Sequence, residues 1–213
     1  MLRIIGGLYK HRLINQPSLE TTRCTKDIAK EGLFNSLGDI TNKSFLDLFS
    51  GSGAIGIEAF SRGAKPVVLN EIDREAKRTI MRNLMGLGIT EIDVYGLDAL
   101  KCIDELSRKE MVFDIVFLDP PYKFKINNDY LNNMINKKIT KNTTIFIIES
   151  DYNLDINDFA NFNIKILKYG KTYMNILKRK NDLWELRFIQ EVSILLLLDI
   201  LILLKEPQTF LIK

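Results

Sequence analysis

The chain has 213 residues, 46% hydrophobic and 27% charged, with a net charge of +3, the profile of one soluble globular domain with a sizeable core. A single histidine, His11, and two distant cysteines, Cys24 and Cys102, argue against a His-based triad, a zinc site or a disulfide framework, and no metal is expected. No apolar leader opens the sequence, so a reduced, cytoplasmic setting is the expectation.

The positive charge is concentrated at the start. Arg3, Lys10, Arg12, Arg23, Lys26 and Lys30 stand against Glu20 and Asp27, so residues 1–30 carry +4 and the remainder −1. Such a local excess is the electrostatic footprint expected of a nucleic-acid contact, although a solvated basic hairpin has the same composition. Residues 2–5 and 11–14 flank Gly6-Gly7 and predict a β-hairpin. Thr25 is placed as the N-cap of a helix reaching Leu37, with Ala29, Leu33 and Leu37 on one stripe and Gly38 ending it.

From residue 45 strand and helix patterns alternate. Phe-Leu-Asp-Leu-Phe-Ser-Gly-Ser-Gly-Ala-Ile-Gly, residues 45–56, is a short apolar strand running into Gly51, Gly53 and Gly56. Glycines so spaced allow a tight turn, close approach of backbone to a ligand, and close packing of the next helix, here 54–62 and stopped by Gly63. This spacing alone fits NAD, FAD or S-adenosylmethionine. Asp47, in the strand, favours the last, because a carboxylate there would pair with an ammonium group and repel a pyrophosphate. The turn also lacks a Lys or Arg to meet phosphates. Strand 67–70 leads to Glu71, twenty residues after Gly51 and placed for the hydroxyls of a ribose. Strand 92–95 leads to Asp98, placed to accept from an adenine amine. Each acid taken singly is equally readable as a helix cap or a loop residue; the set, repeated at successive strand ends, favours a ligand site.

The next strand, 112–118, ends in Asp119-Pro120-Pro121-Tyr122. Two prolines fix φ and remove backbone donors, which holds Asp119 and Tyr122 rigidly at the carboxyl end of the strand, the edge where open α/β sheets bind ligands. The Asp119 carboxylate and the Pro120 carbonyl offer acceptors, and the Tyr122 ring can lie against a heterocycle. That array suits a planar group bearing an –NH2, such as the exocyclic amine of a nucleobase. Neither cysteine follows the Asp-Pro-Pro turn, which excludes a cysteine-nucleophile methylation of pyrimidine carbon.

Helix 129–138 and strand 144–149 continue the alternation, and Ile164–Tyr169 and Thr172–Lys178 joined by Gly170-Lys171 predict a closing hairpin. The expected fold is a mostly parallel seven-stranded sheet with right-handed crossovers, ending in an antiparallel hairpin and preceded by the small N-terminal hairpin and helix. The domain spans 1–180, with 1–38 as its basic, nucleic-acid-facing start, and 181–213 is an atypical apolar tail. Within the tail, Val192–Leu204 is thirteen residues long and contains Asp199. A membrane-spanning helix needs about 20 apolar residues, so a span is the minority reading and a buried or partner-facing helix is preferred, with an out-of-frame or foreign extension as a third.

From Arg3 to about Lys180 the chain resembles the bacterial 16S rRNA guanine-N2 methyltransferases known as RsmD. The resemblance rests on Arg3-Ile4-Ile5-Gly6-Gly7, Glu31-Gly32-Leu33-Phe34-Asn35, Leu46–Gly56 and Asp119–Tyr122. The last two motifs are shared with many amino-methyltransferases; the first two are more particular to this family. It implies a Rossmann-like class I S-adenosylmethionine-dependent methyltransferase fold, with S-adenosylmethionine held by Asp47, Phe49, Ser50, Gly51, Gly53, Gly56, Glu71 and Asp98. It further implies a target guanine held by Asp119, Pro120 and Tyr122, and RNA faced by Arg3, Lys10, Arg12 and Arg23. The expected partner is 16S rRNA or an assembling small subunit, met by a monomer. Two features depart from the family pattern: Arg23-Cys24-Thr25 stands where Arg-Pro-Thr is usual, and the tail has no counterpart.

Three rivals follow from the same residues. The first is amine methylation of a DNA base or a protein glutamine, disfavoured because the chain has no target-recognition insert, no Asn at position 119 and no N-terminal helical domain. The second is an rRNA-binding assembly factor without catalysis, and the third an NAD-dependent oxidoreductase, disfavoured by Asp47.

Overall fold

The structure, a computed structural model, describes residues 1–17, 27–121 and 126–180. Residues Met1–Arg179 form one compact unit. Thr25, Arg23, Tyr122 and the 181–213 tail, all singled out above, lie outside the described residues.

Seven strands make the main sheet: β3 (Phe45–Asp47), β4 (Val67–Asn70), β5 (Ile92–Tyr95), β6 (Phe113–Leu118), β7 (Thr140–Ser150), β8 (Phe162–Tyr169) and β9 (Thr172–Arg179). Their order is β5-β4-β3-β6-β7-β9-β8, with the first five parallel and β8 and β9 antiparallel, as the sequence pattern predicts. The chain moves outward from β3 through β4 to β5, then returns to lay β6 on the other side of β3. The β3–β6 junction is therefore the point where strand order reverses, and ligand crevices of open α/β sheets form there.

Helices α1 (Asp27–Leu37), α2 (Ala54–Ser61) and α3 (Arg74–Leu87) cover one face of the sheet; α4 (Ala99–Arg108) and α5 (Asn128–Asn136) cover the other. The period-2 alternation of the strands sorts the core accordingly. Phe45, Ile115, Phe117 and Ile147 pack with Leu33, Phe34, Ile57 and Ile80, whereas Leu46, Leu48, Val116, Leu118 and Ile148 pack with Cys102, Ile103, Leu131 and Met134. Burial pushes the Cys102 thiol up to about 12, so it serves as a core side chain.

Three expectations are corrected. The N-terminal hairpin is shorter than 2–5 with 11–14: its ladder consists of β1 (Leu2–Arg3) and β2 (Leu13–Ile14). Its middle is bound elsewhere, since the N–H groups of Ile5 and Gly6 donate to the two carboxylate oxygens of Glu58 on α2, each at 2.8 Å. Helix 129–138 ends at Asn136, because Lys138 takes a φ of 59° that an α-helix cannot accommodate. Strand 144–149 begins four residues earlier, at Thr140, opposite Phe113; a register shift between Phe113 and Ile115 absorbs the extra residues, and Lys141 pairs with Asp114 at 2.7 Å.

Candidate functional site

The described acid, glycine and Asp-Pro candidates gather at the carboxyl edge of the sheet. The first group comes from β3 and the turn after it. Gly53 takes a φ of 78° and Gly51 a φ of 52°, left-handed conformations that favour glycine. Gly56 is required for another reason: a Cβ there would stand 2.0 Å from Leu69 Cδ2, so α2 could not lie so close to β4. Asp47 is 1% exposed. Its Oδ2 accepts the Gly56 N–H at 3.2 Å, while Oδ1 is buried without a hydrogen-bond partner. Burial, with the charges of Glu71 and Glu149 nearby, pushes the carboxyl up to about 7 against the pull of the Gly56 N–H. A buried carboxylate oxygen with no donor is expensive to keep charged, and a cationic group beside it would offset that cost.

Ser50 ties the turn to the neighbouring strand. Its hydroxyl donates to the Asp47 carbonyl at 2.8 Å and accepts the Asn70 N–H at 3.1 Å. Phe49 is half-buried and packs against the core under α4 and α5. Glu71, just past β4, accepts the Gly51 N–H at 2.7 Å through Oε2 and the Asp73 N–H at 2.8 Å through Oε1. Burial raises its carboxyl above the ordinary range, and Asp73 adds to the effect. The ribose candidate thus also braces the glycine turn. Asp98 is exposed and caps α4, its Oδ1 accepting from Leu100 N–H at 3.0 Å; the capping reading of this acid is what the geometry displays.

The second group comes from β6. Asp47 pairs in register with Phe117, which puts Asp119 two residues beyond it on the adjacent strand. Asp119 and Pro120 are half-buried there. The Asp-Pro-Pro turn and the glycine turn are therefore neighbours across the reversal point.

Several residues escaped the sequence reading. Asn70, 2% exposed, donates to the carbonyls of Leu48 and Leu97 and accepts the Leu97 N–H, which clamps three strand ends together. Glu149, buried at the end of β7, adds a further carboxylate to the edge. On α3 the buried Asn83 donates to Ser52 O in the glycine turn at 3.1 Å and to Asn15 O at 3.0 Å, and accepts the Asn15 N–H at 2.7 Å. Only Asn70 had a local signal, an amide closing an apolar strand.

Of the basic candidates, Arg3, Lys10 and Arg12 are exposed on the N-terminal segment. That segment is bolted to α2. Glu58, fully buried, also takes the Arg62 guanidinium at 2.7 Å and stands 3.5 Å from the buried Lys30 ammonium, which in turn donates to Arg3 O. Among the described residues no group of three His, Cys, Asp or Glu could hold a metal ion, and no helix is long and apolar enough to cross a membrane.

A glycine turn beside an Asp-Pro-Pro strand end, at the reversal point of a seven-stranded sheet closed by an antiparallel hairpin, defines a Rossmann-like methyltransferase fold. A family model described as conserved hypothetical protein 95 matches residues 2–178. The chain is 31% identical over 183 residues to a putative rRNA methyltransferase, YlbH, of Bacillus subtilis, covering 84% of this chain and all of that protein. It is 32% identical over 151 residues to ribosomal RNA small subunit methyltransferase D of Escherichia coli, covering 70% of this chain and 75% of that protein. Among solved structures it is similar to the putative methyltransferase yhhF of Escherichia coli, with a TM-score of 0.70 and 29% identity over 84% of this chain and 98% of that one. The chain belongs to this RsmD-like family.

Proposed function

We propose that the protein transfers a methyl group from S-adenosylmethionine to the exocyclic N2 amine of a guanine in small-subunit rRNA. The observation that carries this reading is the β3–β6 register, which sets Asp47 and its unpartnered Oδ1 beside the strand that delivers Asp119. The rRNA substrate is supported by the relatives' names; guanine N2 is the finer part of the proposal.

When bound, S-adenosylmethionine supplies an electrophilic methyl on a sulfonium centre. The residues present fit such a group. Asp47 Oδ1 meets its ammonium, Glu71 takes the ribose hydroxyls, Asp98 offers its carboxylate to the adenine amine, and Phe49, Ser50, Gly51, Gly53 and Gly56 shape the bed. Asp119 and the Pro120 carbonyl accept the two N–H groups of the guanine amine, whose lone pair is otherwise delocalised into the ring, and aim it at the methyl. Tyr122 stacks on the unpaired base and offsets part of its unstacking. Positioning of this kind supplies about 7–11 kcal/mol. Transfer would form the N–CH3 bond as the sulfonium–methyl bond breaks, leaving S-adenosylhomocysteine, and the alkylated nitrogen, now acidic, would give its proton to solvent, so a strong base is not required. Arg3, Lys10, Arg12 and Arg23 face the RNA phosphates.

The test uses tritiated S-adenosylmethionine with 16S rRNA and with 30S particles from a strain lacking the gene, followed by nucleoside analysis. Label in N2-methylguanosine is expected. Label in another nucleoside, or RNA binding with no transfer, overturns the assignment; the second outcome would identify a non-catalytic assembly factor.

A further inference from the structure

Helix α3 carries a row of arginines that the site does not use. Arg74, Arg78 and Arg82 are spaced at i, i+4 and i+8, so they form one ridge rising about 12 Å along the helix. All three are exposed and border a shared surface depression with Glu75, Lys77 and Met81. Among the described residues none of the three pairs with a carboxylate. The next place on the ridge is Gly86, with open space where a side chain would be. There the guanidinium of Arg12, from the N-terminal segment, donates to the Gly86 carbonyl at 3.2 Å. A second chain segment thus supplies the fourth arginine of the row. Met81 and Met85, 51% and 78% exposed, flank the ridge and leave an apolar margin along it.

The row is anchored to the site at both ends. Asp73, the N-cap of α3, donates its N–H to Glu71, and Asn83 near the other end bonds both the glycine turn and Asn15. A helix with charges merely for solubility would intersperse both signs on its outer face; α3 has Glu75 against Arg74, Lys77, Arg78 and Arg82.

We propose that this ridge, Arg74–Arg78–Arg82 continued by Arg12, is a docking surface for the phosphate backbone of the RNA substrate. It extends the footprint from the N-terminal segment along α3 toward Glu71. The charge complementarity of three arginines on one helix ridge, with Arg12 at its end, to a phosphate chain selects the occupant, since Arg reads phosphate oxygens bidentately. The inference rests on the rRNA reading above.

The test compares the full-length wild type with Arg74→Ala/Arg78→Ala/Arg82→Ala and with the corresponding triple Lys variant. Binding to a deproteinised 16S rRNA fragment is titrated across salt, with calorimetric binding of S-adenosylhomocysteine as the control. The Ala variant is expected to bind RNA at least tenfold more weakly, with a log–log salt slope shallower by about 0.7–0.9 for each phosphate no longer neutralised. The Lys variant should keep most of the slope, and all three proteins should bind S-adenosylhomocysteine alike. A wild-type slope in the Ala variant overturns the inference while leaving rRNA methylation standing. Weakened binding to 30S particles with unchanged binding to the fragment also overturns it, and assigns the ridge to a ribosomal protein. A wild type that methylates no rRNA sinks the parent reading instead. Loss of S-adenosylhomocysteine binding in the Ala variant alone would mean the ridge holds the fold, and overturns the docking role.

Discussion

Asp47 and Gly56 are joined by one hydrogen bond, from the Gly56 N–H to Oδ2 at 3.2 Å, while the other carboxylate oxygen is buried with no donor. The carboxylate therefore does two things: it pins the start of α2 to β3, and it keeps a buried acceptor without a donor.

The first prediction follows from that burial. Unfolded, Asp47 loses its proton near 3.8; folded, burial holds it until about 7. Between those values the folded state binds more protons at Asp47, so this residue's contribution to the stability of the ligand-free protein falls as pH rises from about 4 to about 7 and then levels off. The full drop is ~4 kcal/mol at ~1.4 kcal/mol per unit. Asp47→Asn keeps an acceptor for Gly56 and should flatten the profile, raising stability at pH 8. Urea melts at pH 5 and pH 8 give the comparison. Binding of S-adenosylhomocysteine near pH 6 should release a proton in the wild type and none in Asp47→Asn, read by calorimetry in buffers of different ionisation enthalpy. Parallel stability profiles for the two proteins would refute the assignment.

Glu71→Ala should weaken S-adenosylhomocysteine binding by ~1.5–3 kcal/mol, the scale of a hydrogen bond to a charged group. It also leaves the Gly51 N–H without its acceptor, so a small loss of thermal stability should accompany it. Equal affinity for wild type and variant in a calorimetric titration would contradict the ribose role.

Asp119→Ala should preserve the fold and S-adenosylhomocysteine affinity while lowering turnover on rRNA by ~10²-fold or more, as for loss of one preorganised electrostatic contact. Single-turnover methyl transfer is the measurement. Wild-type rates in the purified variant would remove Asp119 from the mechanism.

Glu58→Ala should destabilise the protein by ~3–5 kcal/mol, because it breaks a buried ion pair and leaves Lys30, 1% exposed, with only the more distant carboxylate of Asp27 at 4.0 Å. It also removes the acceptors of Ile5 and Gly6, so amide exchange of residues 4–12 should accelerate beyond that of the sheet. Exchange mass spectrometry distinguishes this from a uniform loss of stability.

The elements themselves were legible in the sequence because their causes are local. Strand and helix periods from residue 45 to 149, the glycine turn, the Gly170-Lys171 hairpin and the acids at strand ends all follow from spacing, capping and backbone freedom within a few residues. Tertiary structure decided what depends on pairing between distant residues. The β3–β6 register sets Asp119 two residues beyond Asp47's partner Phe117, across seventy-two positions of chain, and no local pattern contains it. Glu58 looks like a surface acid in a short helix, yet it is buried because the N-terminal segment brings Ile5, Gly6 and, through α1, Lys30 to it. Asp98 is an exposed cap in the fold, where spacing alone left ligand and cap equally open. The arginine row was hidden by charge counting, since the acids elsewhere in 31–213 cancel α3's excess; only folding separates them, and only folding brings Arg12 to the Gly86 carbonyl.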